Sequence, residues 1–353
     1  MPGLHLMRIA LIKLGALGDV VRTTSLVSGL KRLDPEMELT WVTDVAAVPL
    51  IGYHPDVRFA RTTEEPGTWR DALYDWVISL DDNRVACHLA SGLRSSQLSG
   101  AYRAGDGSLR YTPDLKEWFG MGLLRPEEEG GLEAANRRKK ANVRTFGQIL
   151  FHGLGLPGPI ERPAVEVPAR AREEAARIVV GLAGAGRGPV IGLNTGADSR
   201  WSYSGWGEEQ TAELAQRLHD ALGATVLVVG GAEETARNAC IVAAARRPRV
   251  LAAPAVPDLL VFTALLGECA VVVTSDSLAM HLALSQKVPT IAFFGPTSDA
   301  EIDLFGLGEK VVTPLACRRC YLEDCDVRLH CMQSIGVDRL FDATARWLGR
   351  KLQ

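Results

Sequence analysis

The sequence predicts an α/β protein made of two doubly wound parallel-sheet domains, and three observations lead there. The first is length: 353 residues exceed one small core and suit two domains of roughly 150–180 residues. The second is alternation, because short apolar runs suited to buried strands are interleaved with helical patterns in both halves. The third is punctuation. Gly155–Pro159 is rich in Gly and Pro, and Pro163–Pro168 then reads as an extended connection, which puts a boundary near residue 165. The expected organisation is a domain over 1–165, a second over 166–336, and a closing amphipathic helix over 337–353.

Arg8-Ile-Ala-Leu-Ile-Lys13 reads as a buried strand, Leu14-Gly-Ala-Leu-Gly18 as a turn, and the segment to about Leu33 as a helix. Glu38–Thr43 and Asp75–Leu80 read as further strands. Between about Ala104 and Lys140 the periodicity weakens and Gly, Pro and charged residues crowd together, so this segment reads as a long mobile excursion. A helix is expected over Asn142–Leu154. The second half alternates more clearly, with strands at Val190–Leu193, Thr225–Val229, Ala270–Thr274 and Thr290–Phe294, and helices at Glu208–Leu222, Glu233–Ala245, Asp258–Leu266 and Ser277–Ser285.

Composition narrows the function. A hydrophobic content of 47%, a charged content of 23% and a formal charge of −3 are ordinary for a globular protein and give no global pull toward nucleic acid, so any anion site is local. Lys13 interrupts the first apolar run and no small-residue cleavage site follows it, which argues against a signal peptide. No stretch reaches the ~20 apolar residues that span a bilayer. The expectation is a soluble cytoplasmic protein, with room for peripheral contact at the inner-membrane surface.

Ligands of open parallel sheets collect at the carboxyl ends of the strands, which directs attention to the loops there. After the first strand, Asp19 opens the helix. A carboxylate at that place reads as an N-cap and equally as a general base held by backbone NH groups. A dinucleotide reading on Gly15, Gly18 and Asp44 is weaker, because the G-x-G-x-x-G spacing is incomplete and Asp19 would face the pyrophosphate. In the second half, Asn194-Thr-Gly-Ala-Asp-Ser-Arg-Trp201 offers Thr195, Gly196, Ser199, Arg200 and Trp201 toward phosphate oxygens. Glu233, after Gly230-Gly231, can bond ribose hydroxyls. Asp276 can accept from sugar hydroxyls while the helix start at Ser277, Leu278 and Ala279 meets a diphosphate. His281, one turn further, supports that loop or fills the core. Each loop alone reads as an ordinary turn; three at equivalent ends of one sheet read as a nucleotide-sugar site.

These motifs resemble glycosyltransferase family 9, the bacterial heptosyltransferases of lipopolysaccharide assembly. The resemblance rests on Leu11-Ile-Lys-Leu-Gly-Ala-Leu-Gly-Asp-Val20, Thr195-Gly-x-x-x-Arg-Trp201, Gly230-Gly-Ala-Glu233, Ser275-Asp-Ser-Leu-Ala-Met-His281 and Phe294-Gly-Pro-Thr297, in that order. It implies a GT-B architecture of two Rossmann-like domains facing across a cleft, with ADP-heptose or a related nucleotide sugar as donor and a glycolipid or saccharide as acceptor. It also implies inversion without a catalytic metal, with Asp19 as base, Arg200 at the donor, Glu233 at the ribose and Asp276 at the sugar. Gly18, Arg22 and Arg144 fall on the acceptor side. Many relatives carry His three residues after the catalytic Asp, where this chain has Arg22, so the acceptor stays open.

Finally, Cys317-x2-Cys320-x4-Cys325-x5-Cys331 places four thiols within fifteen residues. In a reducing compartment this suggests a structural zinc, or an iron or iron–sulfur centre, ahead of free thiols or disulfides. His330 can replace one thiolate. Four protein ligands leave no open position for a metal-bound water, which assigns the site to scaffolding.

Overall fold

The computed structural model describes residues 6–122, 130–184, 188–196, 206–322 and 325–351. The chain forms two compact units, Met1–Glu166 with Ala300–Asp303, and Val167–Asp299 with Leu304–Gln353.

In the first unit β1 (Arg8–Ile12), β2 (Glu38–Thr43), β3 (Phe59–Thr62), β4 (Leu73–Ser79), β5 (Arg94–Arg103) and β6 (Leu109–Tyr111) form one sheet in the order β3-β2-β1-β4-β5-β6. All neighbours are parallel except β5 and β6. Residues 9–12 are wholly buried: Ile9 and Leu11 join Trp41 and Ile78 on one face, Ala10 and Ile12 join Val42 and Val77 on the other. This is why the strand reads as an unbroken apolar run, since helices cover both faces of the sheet. Each buried Ile, Leu or Val side chain contributes roughly 1.5–3 kcal/mol on burial. The helices of this unit are α1 (Leu17–Thr23), α2 (Ser25–Leu33), α3 (Val48–Ile51), α4 (Arg84–Gly92), α5 (Lys116–Phe119), α6 (Gly131–Ala141) and α7 (Phe146–Leu154).

The second unit begins with α8 (Ala169–Ala183) and forms β7 (Val190–Asn194), α9 (Glu208–Leu222), β8 (Thr225–Val229), α10 (Thr235–Ala245), β9 (Val250–Ala252), α11 (Leu259–Gly267), β10 (Val271–Ser275), α12 (Leu278–Ser285), β11 (Thr290–Phe294), β12 (Gly308–Val312) and α13 (Val337–Lys351). Its sheet runs β12-β11-β10-β7-β8-β9, all parallel. Leu340, Ala343 and Leu348 of α13 enter the same core as Ile191, Val226 and Val273, so the closing helix is part of this unit. In both sheets the first strand of the unit, β1 or β7, lies where the strand order reverses. Crevices outside strand ends at such points bind ligands.

Several expectations change. The single helix to Leu33 is two helices that meet at Thr24, whose hydroxyl donates to Val21 O (2.6 Å) and accepts from Ala164 N (2.8 Å). The excursion over 104–140 holds β6, α5 and α6. The order comes from tertiary contacts: β6 pairs with β5, and Tyr111 stacks on Phe119 at 4.8 Å. The helix expected from Asn142 starts at Phe146, because Thr145 and Gln148 close a capping box there. Pro163–Pro168 carries neither helix nor strand, as expected of a connection, and α8 follows it directly from Ala169.

Candidate active site

At the end of β1 the chain passes through Lys13 and into α1. The cap of α1 is Ala16, which offers no side-chain hydrogen bond, and Asp19 sits within the first turn. Asp19 is therefore not the cap that the sequence allowed, and its carboxylate makes other contacts. Oδ1 lies 2.9 Å from the Arg22 guanidinium and Oδ2 lies 3.6 Å from Lys13 Nζ. Lys13 is 5% exposed and also donates to Asp81 Oδ1 and Gly15 O. Asp81 Oδ2 accepts from Leu14 N at 2.5 Å. Arg22 lies over the Phe146 ring at 4.2 Å and near Trp118 at 5.3 Å, the two rings meeting edge to face. The base expected from sequence thus lies between two cations, one fixed by an acid and one by aromatic rings.

Further acids surround this point. Burial first, then the Asp81 charge, pushes the Asp44 carboxyl above its usual range, with Lys13 opposing. Burial likewise raises Asp82, against the hydrogen bond from Tyr111 at 3.2 Å. Gly18 lies half-buried on α1. Arg144 pairs with Glu117 and, with Lys116, Arg138, Met121 and Val143, lines a cavity of ≈ 530 Å³ in the same unit. On α6, Arg137 pairs with Glu133, while Lys139 is 4% exposed and burial lowers its pKa.

In the second unit the ends of β7 and β10 are joined by Asn194. Its side-chain amide donates to Gly196 O (2.9 Å), Thr274 Oγ1 (3.0 Å) and Ser277 Oγ (3.2 Å). Thr195 Oγ1 contacts Asn238 Oδ1 and Val229 O, which ties β7 to β8 and α10. Ser277 caps α12 by position, though its hydroxyl contacts Thr274 at 2.9 Å instead of the helix amides. Asp276, Ser277 and Leu278 are half-buried, Ala279 and His281 are buried, and Glu233 is exposed near the end of the β8–α10 turn. Its neighbour Glu234 closes that turn, accepting from Gly231 N at 2.7 Å. Ser199, Arg200 and Trp201 lie outside the described residues. Thr195, Gly196, Asp276 and the start of α12 are thus brought to adjacent strand ends.

The model of glycosyltransferase family 9 (heptosyltransferase) matches residues 133–326, more than half of the chain. The chain belongs to glycosyltransferase family 9. Lipopolysaccharide heptosyltransferase 1 of Pseudomonas aeruginosa is 24% identical over 346 residues, covering 90% of this chain and 87% of that protein. Among solved structures, a family 9 glycosyl transferase from Veillonella parvula superimposes with a TM-score of 0.75 at 18% identity, covering 98% and 97% of the two chains. The ADP-heptose lipopolysaccharide heptosyltransferase II of E. coli does so with a TM-score of 0.70 at 18% identity, covering 98% and 100%. The fold is therefore of the GT-B class, and the protein is a glycosyltransferase.

In this family 9 glycosyltransferase the cysteine loop follows β12. Cys317 is exposed, Cys320 and Cys325 are half-buried, and Cys331 is buried. Burial, then the nearby Cys320, Cys325 and Cys317 thiols, pushes Cys331 up to about 11. Four soft donors suit zinc or iron, but among the described residues no three His, Cys, Asp or Glu side chains are gathered closely enough to hold a metal ion. As placed, the thiols do not fit a coordination sphere.

The sequence reading missed Lys13, Asp81, Asn194 and the rings of Trp118 and Phe146. Two signals were present: a lysine ending an apolar strand, and an acid pair Asp81-Asp82 immediately after another. Trp118 and Phe146 carried none, because their meeting with Arg22 depends on where α5 and α7 fold, far from it in sequence.

Proposed function

We propose that this glycosyltransferase transfers heptose, or a related sugar, from ADP-heptose to a lipopolysaccharide-core or other cell-envelope saccharide, with inversion. The observation that carries the reading is the Asp19 carboxylate at the β1 switch point, 2.9 Å from Arg22 and 3.6 Å from Lys13, with its side chain 38% exposed. The acceptor hydroxyl attacks the anomeric carbon, the bond from that carbon to the diphosphate oxygen breaks, and its electron pair leaves with ADP. The hydroxyl proton passes to Asp19. An ordinary carboxylate is a weak base, so its help comes late, as attack makes the hydroxyl acidic.

On the donor side, Thr195, Gly196 and the Ser277–Ala279 helix start meet the diphosphate, with Ser199, Arg200 and Trp201 completing that loop. Glu233 meets the ribose, Asp276 meets the sugar, and His281 supports the Asp276 turn from within α12. Preorganised donors of this kind stabilise a departing anion without reorganising. On the acceptor side, Gly18 and Arg22 border Asp19, while Arg144, Lys116 and Arg138 give the ≈ 530 Å³ cavity a charge suited to phosphate or carboxylate groups of a glycolipid. Among the described residues no helix is long and apolar enough to cross a membrane, and we place the reaction in the cytoplasm with peripheral contact at the inner-membrane face.

The decisive experiment is Asp19→Asn, which keeps size and removes the base. Turnover should fall by roughly 10²–10⁴, the range of general-base catalysis, while ADP binding stays within about threefold, as expected when only a transition-state interaction is lost. Unchanged turnover would remove Asp19 from the mechanism. For the cysteine loop, the structural zinc or iron expected from the sequence would require the four thiols to draw closer together than they are placed here. Metal analysis of chelator-free protein decides it, and four titratable thiols without stoichiometric metal would reject the assignment.

A further inference from the structure

The cysteine loop is held to one particular turn of the second unit. The amides of Arg319 and Tyr321, which flank Cys320, donate to Gly295 O at 3.2 Å and Pro296 O at 3.1 Å. The Tyr321 hydroxyl accepts from Ser298 N at 2.9 Å. Arg319 grips both oxygens of Asp299, at 2.7 and 3.0 Å, with each side chain 15% exposed. From the far end of the loop, Cys331 and Met332 pack so closely on Gly295 that a Cβ there would stand 2.6 Å from Cys331 Sγ and 2.7 Å from Met332 Sδ. Five contacts from a fifteen-residue loop therefore converge on Gly295–Asp299.

That turn follows β11, and β11 lies beside β10 with Ser275 paired to Phe293. Parallel neighbours are about 4.8 Å apart, so Gly295 and Pro296 leave the sheet next to Asp276. The turn also holds an uncompensated group. Ser298 is 2% exposed, and among the described residues its hydroxyl has no hydrogen-bond partner. Burying an unpaired hydroxyl is unfavourable, so this is not a conformation the segment would hold alone. Arg319 and Tyr321 themselves adopt left-handed backbone angles, φ 59° and 52°, which non-glycine residues rarely take. Both strained partners are kept in place by each other.

We propose that Arg319 and Tyr321 are positioning residues for donor binding, through which the cysteine loop holds the Gly295–Asp299 turn beside Asp276. The inference rests on the reading of the β7, β8 and β10 ends as the donor site. It gives the loop a task beyond scaffolding: the loop keeps one wall of that site from relaxing away from the ligand.

The test uses the full chain with ADP as probe. Tyr321→Phe deletes only the oxygen that accepts from Ser298 N, and Arg319→Ala removes the grip on Asp299. Each should weaken ADP binding in calorimetry by about fivefold, the scale of one hydrogen bond. KM for the donor should rise with kcat at saturating donor little changed, and Arg319→Lys should recover part of the loss by restoring one charged hydrogen bond. ADP affinity equal to that of the unchanged protein in both variants, with only a lower unfolding midpoint, would reduce the loop to a scaffold and overturn the proposal. Should Arg319→Ala not fold, Tyr321→Phe decides alone. Absence of ADP binding in the unchanged protein would defeat the donor-site reading, and amide exchange then tests the brace separately. Faster exchange at Ser298 and over 275–279 in Tyr321→Phe supports it, and unchanged protection overturns it.

Discussion

The two switch points of this glycosyltransferase solve the same topological problem with opposite chemistry. At the end of β1 a buried lysine is set among Asp19, Asp81 and the more distant Asp44 and Asp82, so the crevice is held by charge. At the end of β7 a neutral amide, Asn194, joins two hydroxyls and a carbonyl. A carboxylate that must accept a proton has to be ionised and aimed: the Lys13 and Arg22 cations hold Asp19 ionised and in place, at the cost of lowering its basicity. A surface that must receive a diphosphate benefits from preorganised donors, because a fixed anion aimed at the phosphates would repel the ligand. The comparison therefore predicts that charge changes matter most at the first point, and that introducing charge matters most at the second.

The largest expected effect is Lys13→Met. It removes the cation from a buried pair, with side chains 6% and 12% exposed, and leaves Asp81 facing Asp19 and Asp44. Breaking a buried pair on one side costs about 3–5 kcal/mol, to be read as a drop in the urea midpoint. A loss under ~1 kcal/mol, the range of surface pairs, would show that the network is solvated and that the contrast between the two points is weaker than drawn.

Next comes Asn194→Asp, which keeps the shape at β7 but replaces the donor by an acceptor with charge. The contacts to Thr274 and Ser277 hydroxyls can re-form by hydroxyl rotation, while that to Gly196 O becomes repulsive. Stability should fall by roughly 1–3 kcal/mol, and ADP affinity should fall by more than tenfold if the diphosphate lies here. Asn194→Ala should cost similar stability with a smaller loss of ADP affinity. Equal affinities for the two variants would mean that charge at this point is irrelevant, and the contrast would break.

How far these features were legible follows the same physics. β1, β2, β4, β7, β8, β10 and β11 lie inside parallel sheets with both faces covered, and such strands write themselves as apolar runs. β5 does not: Arg94-Ser-Ser-Gln-Leu-Ser-Gly-Ala-Tyr-Arg103 has no run, and it is a strand because it pairs along β4. Gly100 in it, at φ 109°, lies so close to Ser79 O that a Cβ would clash at 1.8 Å. A lone glycine in sequence announces no such contact. β12, Gly-Glu-Lys-Val-Val, is an edge strand with only Val311 buried, so its pattern reads as surface. Asp19 and the donor loops were visible because they follow apolar runs, Asp81 carried the same signal without being read as part of the site, and Trp118 and Phe146 come from helices remote in sequence whose rings reach Arg22. Ser199, Arg200 and Trp201, legible in sequence, lie outside the described residues.

The smallest predicted effect isolates the cost of crowding acids around Lys13. Burial chiefly, with Asp81 adding, raises the Asp82 carboxyl above its ordinary 3.8. A folded-state pKa above the unfolded value means that the native protein binds the proton more tightly, so stability falls as pH rises through the interval between the two. At pH 7 Asp82 is therefore a net burden, and Asp82→Asn should stabilise the protein there, by no more than about 1 kcal/mol because the group is only partly shielded. The variant keeps a side-chain oxygen for the Tyr111 hydroxyl. Its advantage should shrink as pH falls through the raised folded-state value and be gone below the ordinary 3.8. Asp299 carries the opposite sign. Burial alone would raise it, but the Arg319 pair holds it below the usual range, so Asp299→Asn should destabilise at pH 7, and this loss should fade only as pH falls below about 4. Urea titrations of both variants, run from pH 7 down to below the ordinary carboxylate pKa of about 4, check the pair. Slopes of the same sign would show that the acids at the two sites are not held in the contrasting ways described.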